Sequence, residues 1–452
     1  MSTARAAALQ VLLAVEARHT TLAAAVDRAR RDVADPRDRA LLLELTAGTL
    51  RWQGAIDARI ARQSRRPVAD LDASVRALLR LGVYQLDHLT RVPARAVVHD
   101  AVDLAREAAH EGAAGFVNAV RRGLARGGAA DALPDDPGTS APRDRQLDYL
   151  ATSLSHPRWL VARWLDRYGY EATRAWCRFN LEPPDVTIRA AQAEDPDALI
   201  ADLVGAGIEA TPGRFGRRAI RLPPGGLGRV PEAWRPRFRV QDEASQLVAE
   251  ATGVQPGWRT LDLCAAPGGK TLVLAEAAGP SGRVVACDHR PARIAQLRRT
   301  LADAGLAVPI VRLDARRPLP FGATFDCVFV DVPCSGLGTI RRDPDVKWSR
   351  HEDDLAGLAS AQGLMLDEAA AAVAPGGRLV YATCSSEPEE NALVVAAFLG
   401  RHGTFARQTV EAPGDGPDAA ALVDATGCLV TRPDRDGLDA FFGAVLVRGQ
   451  AT

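Results

Sequence analysis

The stretch Leu261-Asp-Leu-Cys-Ala-Ala-Pro-Gly-Gly-Lys-Thr271 decides the fold. A short apolar run ending near an acid is followed by a turn of small residues and then by a helical start, Leu272–Ala278. Small residues let a ligand approach the backbone, and a helix N-terminus offers free N–H groups. The spacing is neither that of the Gly-x-Gly-x-x-Gly dinucleotide turn nor that of a phosphate-cradling P-loop. Working outward, Arg259–Leu263, Arg283–Asp288, Ile310–Asp314, Phe325–Asp331 and Arg378–Thr383 are short, rich in Val, Ile, Leu and Phe, and read as strands. Pro291–Ala304, Leu355–Val373 and Glu389–Leu399 alternate with them and read as helices. This rhythm implies an α/β domain over 240–450 with a mainly parallel sheet covered on both faces. The last apolar run, Phe441–Val447, is expected to add an edge strand.

Successive strands carry an acid at or near the C-terminal end, the later ones at Asp288, Asp314 and Asp331. An isolated Asp is most often a turn or helix cap. A row of them along one sheet edge is better read as a ligand site, and Asp288, about twenty residues past the turn, suits a ribose diol. Two loops beyond strand ends hold cysteines: Asp331-Val-Pro-Cys334-Ser-Gly-Leu-Gly338 and Tyr381-Ala-Thr-Cys384-Ser-Ser. A lone cysteine is usually a small buried hydrophobe. Two of them after neighbouring strands, flanked by Ser, Gly and Pro, read as exposed reactive thiols beside Asp331. The spacing and the lack of His partners argue against a zinc site, and no metal is expected.

Ahead of this domain, 1–127 reads as helical throughout, with apolar residues at three- and four-residue spacing in Ala4–Ala17, Asp38–Thr49, Asp72–Asp87, Ala94–Glu111 and Gly115–Arg126. Residues 128–146 form a Gly-, Pro- and Asp-containing linker. Residues 147–239 form a small α+β subdomain, with a helix over Trp159–Tyr168 and a strand–helix–strand unit over Val186–Ala190, Asp195–Gly207 and Ala219–Leu222. Its end holds Arg214, Arg217, Arg218, Arg221, Arg229, Arg235, Arg237 and Arg239 against the single acid Glu232, with Phe215, Trp234 and Phe238 among them. Arginines mixed with aromatics suit a groove that tracks phosphates and stacks bases. The alternative is a solvated face in an arginine-biased chain.

That bias is strong. The 452 residues carry 56 basic and 56 acidic side chains, so net charge does not advertise a polyanion partner and any such site is a local patch. Lys270 and Lys347 are the only lysines, and each lies in or beside a motif, where a compact ammonium differs from a guanidinium. Lys347 is expected to contact a phosphate or to fix the Cys334 loop. Seven cysteines, odd in number and scattered, read as reduced thiols in a cytoplasmic protein, and no apolar run is long enough for a membrane span.

The three motifs resemble those of the RNA cytosine-C5 methyltransferases that use S-adenosylmethionine. Arg37–Arg51, Leu78–Leu86 and Gly115–Val120 resemble a NusB domain, and the pairing is similar to the bacterial 16S ribosomal RNA enzymes of that family. The resemblance implies a NusB-like helical domain, a Rossmann-like class I methyltransferase domain, and a monomer acting on RNA. It makes Cys264, Ala265, Ala266, Pro267, Gly268, Gly269 and Lys270 the loop around the cofactor, Asp288 its ribose ligand, Asp314 the acid near its adenine, and Asp331 a residue shared by cofactor and base. It makes Cys384 the nucleophile and Cys334 the cysteine that releases product. The residues by themselves do not rank the two cysteines, and in DNA cytosine-C5 enzymes the Pro-Cys cysteine attacks. Transfer RNA as substrate, or a non-catalytic NusB-like binding protein, are the rival readings.

Overall fold

The computed structural model describes residues 3–89, 111–126, 133–414 and 418–450. Two compact units emerge: 1–182 with 340–352, and 183–339 with 353–452. Among the described residues no helix is long and apolar enough to cross a membrane.

The first unit is helical, with Thr3–Glu16, Leu22–Arg30, Pro36–Arg51, Gln53–Ser64, Ala73–His88 and Glu111–Arg126. Helix starts follow capping chemistry. Asp35 accepts from the Arg37 N–H with Pro36 in the first turn, and Asp72 accepts from the Ser74 and Val75 N–H groups. Leu9, Leu12, Leu42, Leu45, Ile56, Ile60, Leu78 and Leu81 meet in the core. The helix expected over 94–111 lies, but for its last residue, outside the described residues.

The division at 182 differs from the boundary expected at 147. The helical stretch Arg158–Leu181 breaks at Gly169 (φ 78°), so the helix expected to Tyr168 ends there and a second one follows; both stay with the first unit, burying Leu160, Val161, Trp164 and Trp176. The Trp164 and Trp176 rings stack at 4.7 Å. A Gly- and Pro-rich stretch marks a break in regular structure; it does not reveal which neighbour the following helix will cover.

Segment 340–352 also belongs to the first unit. Trp348 Nε1 donates to the Leu50 carbonyl at 2.7 Å, and Asp345 accepts from the Leu22 N–H at 3.0 Å. Lys347 is fully buried, with Nζ donating to the carbonyls of Arg51 at 2.9 Å and Ser155 at 2.5 Å. It therefore touches no phosphate, and the expectation that placed it on RNA is corrected: its long stem fills the interior and its head closes two backbone acceptors.

The second unit begins with an antiparallel sheet of order β2-β3-β1-β4, formed by β1 (Val186–Ala190), β2 (Thr211–Pro212), β3 (Ala219–Leu222) and β4 (Phe238–Val240). With the helix Pro196–Gly205 it encloses Ile188, Leu199, Leu203, Ile220 and Phe238. Next come β5 (Arg259–Asp262), β6 (Arg283–Asp288), β7 (Ile310–Arg312), β8 (Phe325–Asp331), β9 (Val373–Thr383), β10 (Phe405–Gln408), β11 (Leu429–Val430) and β12 (Phe442–Arg448). They form one sheet of order β10-β12-β9-β8-β5-β6-β7, with β11 on β12. The run from β9 to β7 is parallel, and β12 is antiparallel to both β9 and β10. Helices Asp354–Ala372 and Ala392–Arg401 supply Leu366, Ala369, Val395 and Phe398 to the core on the sheet. Leu247, Val248 and Leu274 come from Glu243–Glu250 and Gly269–Ala278.

The run 441–447 is thus an interior strand, not an edge. It pairs with β9 on one side and β10 on the other, and Ala444, Val445 and Leu446 are buried, the unbroken apolar run of a strand covered on both faces. The edge on that side is β10, which the sequence reading passed over.

Burial pushes the Lys347 amine well below its ordinary value, with Arg51 acting in the same direction. Between its folded and unfolded values the unfolded chain binds the extra proton, so stability rises with pH toward about 10.4. Thermal melts should show a larger gain from pH 7 to pH 9 in wild type than in Lys347→Met, which lacks the titration. Lys347→Arg, which cannot shed its proton, should lose about 3 kcal/mol. Equal pH slopes in wild type and the Met variant would refute the buried amine.

Candidate active site

Strand order reverses at β5 and β8, the place where open α/β sheets bind ligands beyond the strand ends. Asp262, Asp288 and Asp331 end β5, β6 and β8, and Asp314 lies two residues past β7. The row of acids read from the sequence therefore lines one edge.

The cofactor loop leaves β5 with the Leu263 N–H on the Phe329 carbonyl and the Ala265 N–H on the Cys287 carbonyl. The Ala266 N–H reaches Asp288 Oδ2 at 3.3 Å. The Arg290 N–H donates to the other Asp288 oxygen at 3.2 Å, and Arg293 donates to the Ala266 carbonyl. Gly268, at φ 112°, starts the helix Gly269–Ala278 from a backbone region that side chains disfavour. A β-carbon there would lie 2.9 Å from Leu297 Cδ1. Asp314 is tied to Arg316 by bonds of 2.9 and 2.8 Å, and this partner holds its carboxyl well below the usual carboxylate range.

Asp262, not singled out in the sequence, is buried and accepts from Thr271 Oγ1 at 2.7 Å. Burial pushes it up to about 7. Its signal was present: it is the first acid in the row. Burial also raises the Cys264 thiol well above its ordinary value, which leaves it a neutral wall of the loop. Gln241 Nε2 is buried without a hydrogen-bond partner, beside the position a β-carbon would take at Gly269. An unsatisfied buried amide next to a glycine turn fits a polar ligand in this loop.

Lys270 Nζ lies 2.7 Å from Asp331 Oδ2 and 5.5 Å from the centre of the Phe441 ring. Burial opposes its charge, but the Asp331 carboxylate outweighs that and holds the ammonium above its ordinary value. Cys334 and Cys384 face one another with sulfurs 3.2 Å apart. Their loops are stitched together: the Gly338 N–H donates to the Cys384 carbonyl at 2.9 Å, and the Ala440 N–H donates to the Gly338 carbonyl at 2.9 Å. A β-carbon at Gly338 would meet the Ala440 oxygen at 2.0 Å, so the sulfurs approach because that residue has no side chain. The structure thus brings Asp331, Lys270, Cys334 and Cys384 together. Among the described residues no group of three or more His, Cys, Asp and Glu is arranged to hold a metal.

The arginine-rich stretch serves the small sheet. Arg218 donates to the carbonyls of Ala190, Ala191 and Glu194, and Arg237 bonds Glu194 and Asp202 at 2.9 and 2.8 Å. Arg239 and Arg235 bond backbone carbonyls, as does Arg214, which reaches that of Asp436. Arg214 and Arg217 are exposed. Phe215 and Phe238 are buried, which corrects the expectation that they stack on bases, whereas Trp234 is half-buried with the Arg237 guanidinium over its ring.

A family model described as the 16S rRNA methyltransferase RsmB/F matches residues 251–447. A NusB family model matches 2–126, and a ferredoxin-like domain model of RsmF/B-like methyltransferases matches 156–225. The ribosomal RNA small subunit methyltransferase B of Pseudomonas putida is 37% identical over 406 residues, covering 88% of this chain and 89% of its own. The chain belongs to the RsmB/F family. The protein of the same name from Vibrio vulnificus is 33% identical over 448 residues, covering 98% of this chain and 99% of its own. The crystal structure of PH0851 shares the fold, with a TM-score of 0.79 at 24% identity and 98% coverage of both chains. As an RsmB/F member the chain belongs to a family of rRNA methyltransferases.

Cys384 is raised well above the ordinary thiol value, first by its hydrogen bond with Cys334, then by burial and by Asp331. At neutral pH it rests as a thiol. Alkylation by iodoacetamide at Cys384, followed by peptide mass, should therefore accelerate about tenfold per pH unit from 7 to 9 without levelling off. A plateau below pH 8 would show a low thiol pKa instead.

Proposed function

We propose that the enzyme methylates carbon 5 of a cytosine in 16S ribosomal RNA through a covalent bond between Cys384 and carbon 6. The observation that carries this reading is the pair of sulfurs 3.2 Å apart within electrostatic reach of the Lys270–Asp331 pair. Carbon 5 of cytosine is too weak a nucleophile to take a methyl group unaided. Sulfur addition at carbon 6 makes it enamine-like, and cysteine both attacks and leaves well.

The loop 264–270 with Asp288, Asp314 and Asp331 would hold S-adenosylmethionine, which supplies an electrophilic methyl group. Asp331 takes the proton of Cys384 as the sulfur–carbon bond forms and gives it to ring nitrogen N3, whose basicity rises in the adduct. Lys270 orients that carboxylate through its 2.7 Å contact. Once carbon 5 carries its methyl group, Cys334 gives its thiol proton to solvent and removes the carbon 5 proton. The ring electrons expel Cys384, and N3 returns its proton to Asp331. The target base must be single-stranded or flipped out to reach these groups. The enzyme works as a cytoplasmic monomer without a metal, with the NusB-like helices and the exposed Arg214 and Arg217 on the surrounding RNA.

Cys384→Ala should abolish methylation while leaving S-adenosylmethionine binding within about twofold by calorimetry. Cys334→Ala should accumulate a protein–RNA adduct, seen as a shifted band on a denaturing gel. An adduct in Cys384→Ala would reverse the two roles, and turnover by that variant would refute Cys384 as nucleophile.

A further inference from the structure

Neither sulfur is held by its own loop alone. Between the loops, wholly buried, lies Glu390, just ahead of the helix Ala392–Arg401. Oε1 accepts from the Ser335 N–H at 2.8 Å and from Gln362 Nε2 at 2.9 Å. Oε2 accepts from Ser335 Oγ and from Ser385 Oγ, each at 2.5 Å. Ser335 follows Cys334 and Ser385 follows Cys384, so one carboxylate grips the residue next to each sulfur. The two hydroxyls also lie 3.1 Å apart. The remaining partners brace the grip: Gln362 donates to the Pro333 carbonyl at 3.1 Å, and Tyr381 OH donates to the Glu390 carbonyl. A carboxylate with no cation among these partners is costly to bury unless its donors are fixed in place.

We infer that Glu390 is a positioning residue that sets the distance between Cys334 and Cys384. Touching no reacting atom, it acts through Ser335 and Ser385. Its kinetic consequence rests on the two-cysteine reading above; its geometric consequence does not. The role is one of spacing, not charge. In a Gln side chain the amide oxygen still accepts from the Ser335 N–H and Gln362, while the amide nitrogen donates to the two hydroxyls, which can turn to accept.

The test measures the interval directly. Diamide takes two hydrogens from a thiol pair and leaves a disulfide, and the rate of Cys334–Cys384 closure is read on the full-length protein by peptide mass. Glu390→Ala should close at least fivefold more slowly than wild type and lose at least fivefold in kcat, with KM for S-adenosylmethionine within twofold. Glu390→Gln should stay within twofold of wild type in both rates. A closure rate in Glu390→Ala less than fivefold below wild type overturns the inference, as does a Gln variant as slow as the Ala variant. Should Glu390→Ala fail to fold, the Ser335→Ala/Ser385→Ala protein replaces it, with closure at least twofold slower expected and an unchanged rate fatal. If Cys334→Ala traps no adduct while Glu390→Ala still slows closure, the covalent reading falls and the spacing role stands.

Discussion

Parallel pairing of β8 with both β5 and β9 is the constraint from which the site follows. Three parallel neighbours must deliver their C-terminal loops to the same edge, so the turn after Asp262, the Pro-Cys loop after Asp331 and the Cys384 loop after Thr383 have nowhere else to go. The reversal of strand order then opens the crevice between the helix after β5 and the loop after β8. Close approach of the last two loops needs a residue without a side chain, and Gly338 supplies it.

Within that crevice the charges are graded by burial and partners. Asp314 is paired and strongly acidic, Asp262 is buried and poised near neutrality, and Asp331 faces the ammonium of Lys270. Asp314 and Asp262, acids from one motif type, thus carry different proton affinities. That difference suits the binding of a cation-bearing ligand and the proton transfer proposed above. The thiols differ in access: Cys287 and Cys327 in the strands are fully buried and raised to about 12 by burial, whereas Cys334 and Cys384 are only half-buried.

Much of this was legible in the primary structure because period, acids and cysteines are local signals. Strands β6 and β8 have the boundaries read for them, and the meeting of Cys334 with Cys384 beside Asp331 follows from loop position alone. What escaped was set by packing. Lys347 read as a phosphate contact or a brace of the Cys334 loop because nothing in a linear string shows two waiting carbonyls. Run 441–447 looked like an edge because β10 is short and weakly patterned. Phe215 and Phe238 looked like stacking platforms although they fill a core, and Glu390 sat unnoticed in an acidic run that resembles an ordinary helix start.

Segment 340–352 has a consequence for how this chain can be divided. It departs from the methyltransferase unit immediately after the Pro-Cys loop and rejoins it at Asp353, having lent its indole and its amine to the interior of the helical body. A fragment starting at residue 183 would strand Trp348 and Lys347 without their hosts, and a fragment ending at 182 would leave a slot where they belong. Because the helical unit draws on two separate stretches of chain, neither unit is a portable module that could be excised or shuffled by cutting the chain once.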